Sequence, residues 1–153
     1  MTQKNTNEFL GGWKVVSPTE SLEMLIPEKV EHEYDDGVAS YWLPDSDGLI
    51  QVSASRRYDG NQISALERAG RRMEQEKNTG CRFEDFVSTS CPDVCSFSKR
   101  DEEGFWWRFI YLVWPAVAAL ITISSRDDFF TKQSWATKAA ETLKLKNENM
   151  GSH

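Results

Sequence analysis

One stretch limits what this chain can become: Gly104 to Arg126, GFWWRFIYLVWPAVAALITISSR, its longest apolar segment. Fifteen residues, Phe109 to Ile123, carry no charge, whereas a membrane-spanning helix needs about 20. Arg108 and Arg126 bound the run and Pro115 interrupts it. Proline removes a backbone donor and clashes with the preceding helical turn, so a single buried helix is also disfavoured. The Phe, Trp, Ile, Tyr, Val and Thr content suits a pleated surface. We read two antiparallel strands, about 105–113 and 117–125, joined by a tight turn through Trp114-Pro115-Ala116.

Side chains alternate along a strand, which places Phe105, Trp107, Phe109, Tyr111 and Val113 on one face and Trp106, Arg108, Ile110 and Leu112 on the other. Neither face is polar, so both are expected to be covered.

Flanking elements follow from local chemistry. A short opening element at Phe9–Val16 precedes strands at Ser21–Ile26, Val38–Leu43 and Leu49–Arg57, with turns at Asp36-Gly37 and Asp45–Gly48 and an acidic loop over 28–36. A helix over 61–78 opens with a Ser64–Glu67 capping box and carries an apolar stripe of Ile63, Leu66, Ala69, Gly70 and Met73. Arg68, Arg71, Arg72, Glu74 and Glu76 are expected to face water. Strands at Cys81–Thr89 and Val94–Arg100 lead into the hairpin. A closing helix, about 131–146 with a start near Asp128 or Thr131, buries Trp135, Ala136, Ala139, Ala140 and Leu143. The pattern is α+β: a single, mostly antiparallel sheet of about six to seven strands with two helices packed on it. Residues 1–8 form a flexible N-terminus, 9–146 one domain and 147–153 a disordered tail.

Composition narrows function. The chain has 39% hydrophobic and 27% charged residues, as folded globular domains do. The net charge of −6 argues against nucleic acid, whose phosphates attract clustered Lys and Arg. Residues 1–60 hold eleven acids and five bases, whereas 61–153 hold thirteen of each, so the whole excess lies early. With no apolar leader in MTQKNTNEF, cytoplasmic location is the expectation, and three cysteines (Cys81, Cys91, Cys95) suggest reduced thiols rather than a disulfide framework.

No catalytic constellation emerges. Two histidines, His32 and His153, leave little for a His-based triad, and His32, set among acids, reads as a surface residue. The cysteines lack a fourth zinc ligand. Asp45-Ser-Asp47-Gly48 lacks the Glu that would complete a calcium loop, and no phosphate-binding glycine loop appears. We therefore expect no catalytic residues, no metal and no cofactor.

The order of elements resembles a known fold. Met24-Leu25-Ile26-Pro27, then Gly48-Leu49-Ile50-Gln51-Val52-Ser53 running through Asp59-Gly60 into a helix, the aromatic hairpin, and a closing helix opened by Trp135 are similar to the PsbP-like layout over residues 9–146. That superfamily includes the photosystem II extrinsic subunit, a nuclear-import factor that binds the Ran GTPase, and small bacterial proteins such as chaperone-like adaptors for type VI secretion effectors. The resemblance implies binding or adaptor roles without catalysis, and it transfers no functional residue.

Six tryptophans are many for one small core. We expect a non-catalytic protein-binding module (adaptor, secretion chaperone or immunity-type protein). It would use Trp42, Trp106 and Trp107 as anchors and Glu28, Glu31, Glu33, Asp35 and Asp36 to steer a basic protein partner. A homodimer through the same patch is a further outcome, and neither a membrane nor nucleic acid is expected as a partner. The alternative is a small-ligand domain with a pocket around Arg108 and Tyr111 between sheet and helix.

Overall fold

The computed structural model describes residues 12–57, 63–76 and 80–146. The expected termini, 1–8 and 147–153, lie outside these residues, as do parts of the expected opening element and of the 61–78 helix.

The apolar stretch folds into the expected hairpin, β8 (Trp106–Val113) and β9 (Val117–Ser125), closed where the Trp114 N–H donates to the Val117 carbonyl at 2.8 Å. On its far side β9 pairs with β5 (Leu49–Arg56), then come β4 (Val38–Trp42) and the edge strand β3 (Glu31–Asp35). On the other side β8 pairs with β7 (Asp93–Arg100), and β6 (Arg82–Glu84) closes the sheet. The order is β3-β4-β5-β9-β8-β7-β6, with every neighbouring pair antiparallel.

The expected single sheet is two. β1 (Trp13–Thr19), β2 (Leu22–Pro27) and β10 (Lys144–Leu145) form a separate three-stranded sheet in the order β1-β2-β10. It lies over the Ile110 and Leu112 face of the large sheet, and Leu22, Met24 and Ile26 join that core. The acidic segment is likewise mostly strand: Glu31 to Asp35 pair residue by residue with Val38 to Trp42. Its composition is wrong for a strand, and pairing with β4 overrides propensity. The expected strand over Cys81–Thr89 is ordered as strand only at Arg82–Glu84.

The closing helix is split. α2 (Asp128–Gln133) is capped by Asp127, and α3 (Trp135–Glu141) restarts at Ser134, whose extended backbone lets its Oγ accept the Ala136 N–H at 3.1 Å. A serine hydroxyl competing for local backbone donors breaks the helix there. The expected apolar set of Trp135, Ala136, Ala139, Ala140 and Leu143 is wholly buried.

α1 (Ala65–Gln75) covers the opposite face, lying on β7 and β8. The Ser64 Oγ accepts the Glu67 N–H at 3.1 Å, as the capping box requires. The inward stripe is rotated from the expected one, however: Ala65 and Ala69 are buried while Leu66 is 61% exposed. Arg72 and Glu76 turn toward the sheet, with Arg72 over the Phe109 ring, its side chain still 37% exposed, and Glu76 bonded to Lys99. No helix among the described residues is long and apolar enough to cross a membrane.

Candidate functional site

Register decides which side chains meet. Cross-strand partners in an antiparallel pair point to the same side. Following the pairs across the sheet gives two rows: Glu33-Ser40-Gln51-Thr122-Phe109-Phe97, and Asp35-Val38 leading toward Ser53-Leu120-Tyr111-Cys95. By alternation Trp42 joins the same face, opposite Glu31, and Leu49-Ser124-Trp107 continue that end of it. α1 covers this face chiefly over β7 and β8, reaching Ala118 and Leu120 of β9. Over β4, β5 and β9 it is half-covered: Trp42, Leu49, Gln51, Ser53, Leu120 and Thr122 are all of intermediate burial.

The face is bounded by opposite charges. Along β3, the carboxylates of Glu31, Glu33 and Asp35 are exposed, and none has an ion-pair partner among the described residues. At the α1 end, Arg68 borders a cavity of about 160 Å3 with Ser53, Tyr111 and Leu120. Burial pushes the Tyr111 phenol up from its ordinary value, so it stays protonated.

The aromatics are fixed differently. The indole N–H of Trp107 donates to Asp101 Oδ2 at 2.9 Å, and its ring stacks near Phe109 with centroids 6.2 Å apart. That hydrogen bond, with the backbone N–H groups of Phe105 and Glu103, holds the Asp101 carboxyl below its ordinary value. Trp42 sits beside a polar cross-strand pair in which Gln51 Nε2 donates to Ser40 Oγ at 3.1 Å. About three strand spacings, roughly 14 Å, separate the backbone positions of Trp42 and Trp107.

Of the partner-binding residues named from sequence, Glu31, Glu33, Asp35, Trp42 and Trp107 therefore share one face. Three do not. Trp106 points to the opposite face, under the Arg100 guanidinium at 5.4 Å. Glu28 follows β2 in a turn, and Asp36 sits in the β3–β4 turn with φ 53°. Leu49, Leu120 and Arg68 were absent from that set; strand register brings in the two leucines, and the packing of α1 on the sheet brings in Arg68.

The expected pocket around Arg108 and Tyr111 does not form. The two side chains are on opposite faces, one residue parity apart. Arg108 is 4% exposed: its Nε donates to Ser96 Oγ at 3.0 Å, an Nη donates to the Asp85 carbonyl, and Phe86 lies 5.4 Å away. Burial lowers its pKa, while the nearby carboxylates of Glu84, Glu141 and Asp85 oppose that shift. Arg108 is thus held by neutral acceptors and through-space charge rather than by a direct carboxylate contact among the described residues. It closes the core beneath the 85–90 connection.

The remaining reactive groups have structural surroundings. The Cys91 thiol is buried and donates to the carbonyls of Asp93 and Val113. Cys81 and Cys95 pack under α1 with Met73 and Phe97. Burial, reinforced by Asp93, pushes the Cys95 thiol up and away from the thiolate form. His32 is exposed, edge-on to Tyr34 at 5.5 Å. No cluster of three or more potential metal-ligating His, Cys, Asp or Glu occurs among the described residues.

Known structures share this arrangement. The solution structure of cyanobacterial PsbP (CyanoP) from Synechocystis superimposes with a TM-score of 0.65 over 89% of this chain and 94% of its own, at 12% identity. The fold is PsbP-like. A second match, a Bacteroides thetaiotaomicron protein in a crystal structure, gives a TM-score of 0.59 at 16% identity over 90% of this chain. This chain spans about half, 50%, of that protein's length. No protein-family model and no curated protein matches the sequence. At these identities the likeness concerns the PsbP-like fold alone.

Proposed function

We propose that the chain is a non-catalytic protein-binding module that receives a basic partner on the half-covered face of the large sheet. One observation carries this reading: Glu31, Glu33 and Asp35 project to the same side as Trp42 and Trp107. A charged edge strand has an ordinary use, because charges on an edge discourage strand-to-strand aggregation. That use does not require all three carboxylates to border a face with two half-buried indoles. Aromatic anchors beside a field of one sign are the usual division of labour at an interface: the rings supply affinity, the charges steer the encounter. The small Ser40, Ser53 and Thr122 side chains between them allow a partner's backbone or side chains to approach closely.

The test is capture from native extract with the wild type and with Glu31→Lys/Glu33→Lys/Asp35→Lys. The reading predicts a basic protein retained by the wild type, lost in the triple variant, and weakened by Trp42→Ala or by raised salt. Equal capture by both forms, or capture of nothing, overturns it.

A further inference from the structure

A cavity of about 300 Å3 opens at the end of the sheet, between the β1–β2 turn, the β3–β4 turn and the end of β5. Its lining includes Glu20, Ser21, Tyr34, Val38, Arg56 and Val117. Two of these are full charges of opposite sign on one small cavity. Arg56 and Glu20 do not pair with one another, and neither has an ion-pair partner among the described residues. A guanidinium and a carboxylate left apart across a concave surface suit a ligand carrying both complementary charges.

The rest of the lining agrees. Ala54 and Val117 supply an apolar wall on the face of Arg56, and Tyr34 is braced because its hydroxyl donates to the Ser17 carbonyl at 3.0 Å. The Ser21 hydroxyl lies 3.4 Å from that of Thr19, so short polar groups line the same end. The space corresponds to about ten waters at roughly 30 Å3 each, enough for one small molecule and too little for a folded segment.

We infer that this cavity binds a small zwitterion, an α-amino acid with an apolar side chain. Arg56 takes the carboxylate in a forked hydrogen bond, Glu20 takes the ammonium, and Ala54 and Val117 take the side chain. A simple carboxylate is repelled by Glu20 and a simple amine by Arg56, which sets the chemistry apart from a general anion site.

The experiment is an amide-resolved NMR titration of the full chain with L-leucine, and in parallel with 4-methylpentanoate and 3-methylbutylamine, which each keep one of its charges. L-leucine is expected to give saturable shifts at Glu20, Gly37 and Arg56. Each half-molecule, and L-leucine with Arg56→Gln or Glu20→Gln, is expected to bind about tenfold or more weakly, the factor that a single lost charged contact of about 1.4 kcal/mol brings. Both residues are exposed, and an unchanged melting temperature confirms that each variant is folded. The inference is overturned if L-leucine gives no saturable shift at millimolar concentration, if the shifts fall elsewhere, or if 4-methylpentanoate binds as well as L-leucine. The sheet-face proposal is unaffected by any of these results, since it rests on Glu31, Glu33, Asp35, Trp42 and Trp107, none of which lines this cavity.

Discussion

The Arg72 guanidinium lies 4.8 Å from the centroid of the Phe109 ring, beneath α1 rather than on its outer side. Its Nε also donates to Glu76 Oε2 at 3.0 Å, and Glu76 in turn bonds Lys99 of β7. α1 is therefore attached by Ala65 and Ala69 at two points and by a charged chain along one flank. A helix with so few large apolar residues on its inner side is fastened by side-chain stems and cation–π contact as much as by burial.

Stability should respond to pH through Glu76. Lys99 first, and then Arg72, hold its carboxyl below the ordinary value of 4.5. The ionised form is preferred in the folded chain, so its stabilisation is complete above that ordinary value and is lost as pH falls through the lower folded value. Glu76→Gln is expected to cost about 1 kcal/mol near neutrality. That difference should close in denaturation curves taken progressively below pH 4.5. A gap that stays constant with pH contradicts this account.

Gly48 is required by a neighbour, not by its own backbone. A Cβ there would fall within the Phe130 ring, whose far side meets Trp135 edge-on at 6.1 Å. Gly48→Ala is expected to cost about 1–3 kcal/mol by overpacking. Adding Phe130→Ala should recover part of that cost, giving a coupling measurable in a double-mutant cycle of urea midpoints.

Arg108 should be replaceable by shape. Its contacts are Ser96 Oγ, the Asp85 carbonyl and the Phe86 ring. Arg108→Met fills similar space without a charge to desolvate and is expected to lie within about 1 kcal/mol of the wild type. Arg108→Ala leaves a cavity and should cost about 3 kcal/mol. Equal losses in the two variants, measured by urea denaturation, would show that the charge and not the volume is what the site needs.

The acidic edge should matter for encounter more than for folding. Glu31, Glu33 and Asp35 are exposed and unpaired among the described residues, so each single reversal to Lys is expected to change stability by no more than about 0.5 kcal/mol. With the partner in hand, association rates should fall with added salt in the wild type and lose most of that dependence in the triple variant. Dissociation rates should respond instead to Trp42→Ala.

Much of the architecture was legible because its signals are local. The apolar run with Pro115 inside it made the hairpin, and alternation assigned Trp107 and Arg108 to opposite faces. Ser64 capped the helix it was expected to cap. The PsbP-like order of elements was readable for the same reason, since it is a sequence of local patterns. Errors fell where local preference was weak. Glu31-His-Glu-Tyr-Asp has no apolar alternation, and its strand exists only through β4. The expected stripe of α1 included Leu66, and the sheet beneath it turned Leu66 outward and Arg72 inward instead.

By itself, then, the sequence determined the hairpin, the two faces of its strands, the cap of α1 and the buried side of α3, because each depends on neighbours within a few positions. The tertiary structure alone decided that Lys144 and Leu145 return to pair with Glu23 and Leu22, making a second sheet. It alone set Glu31, Glu33 and Asp35 beside Trp42, and Glu20 across a cavity from Arg56. Those placements depend on strand register and on contacts between distant segments, which a periodicity of two or 3.6 residues cannot encode.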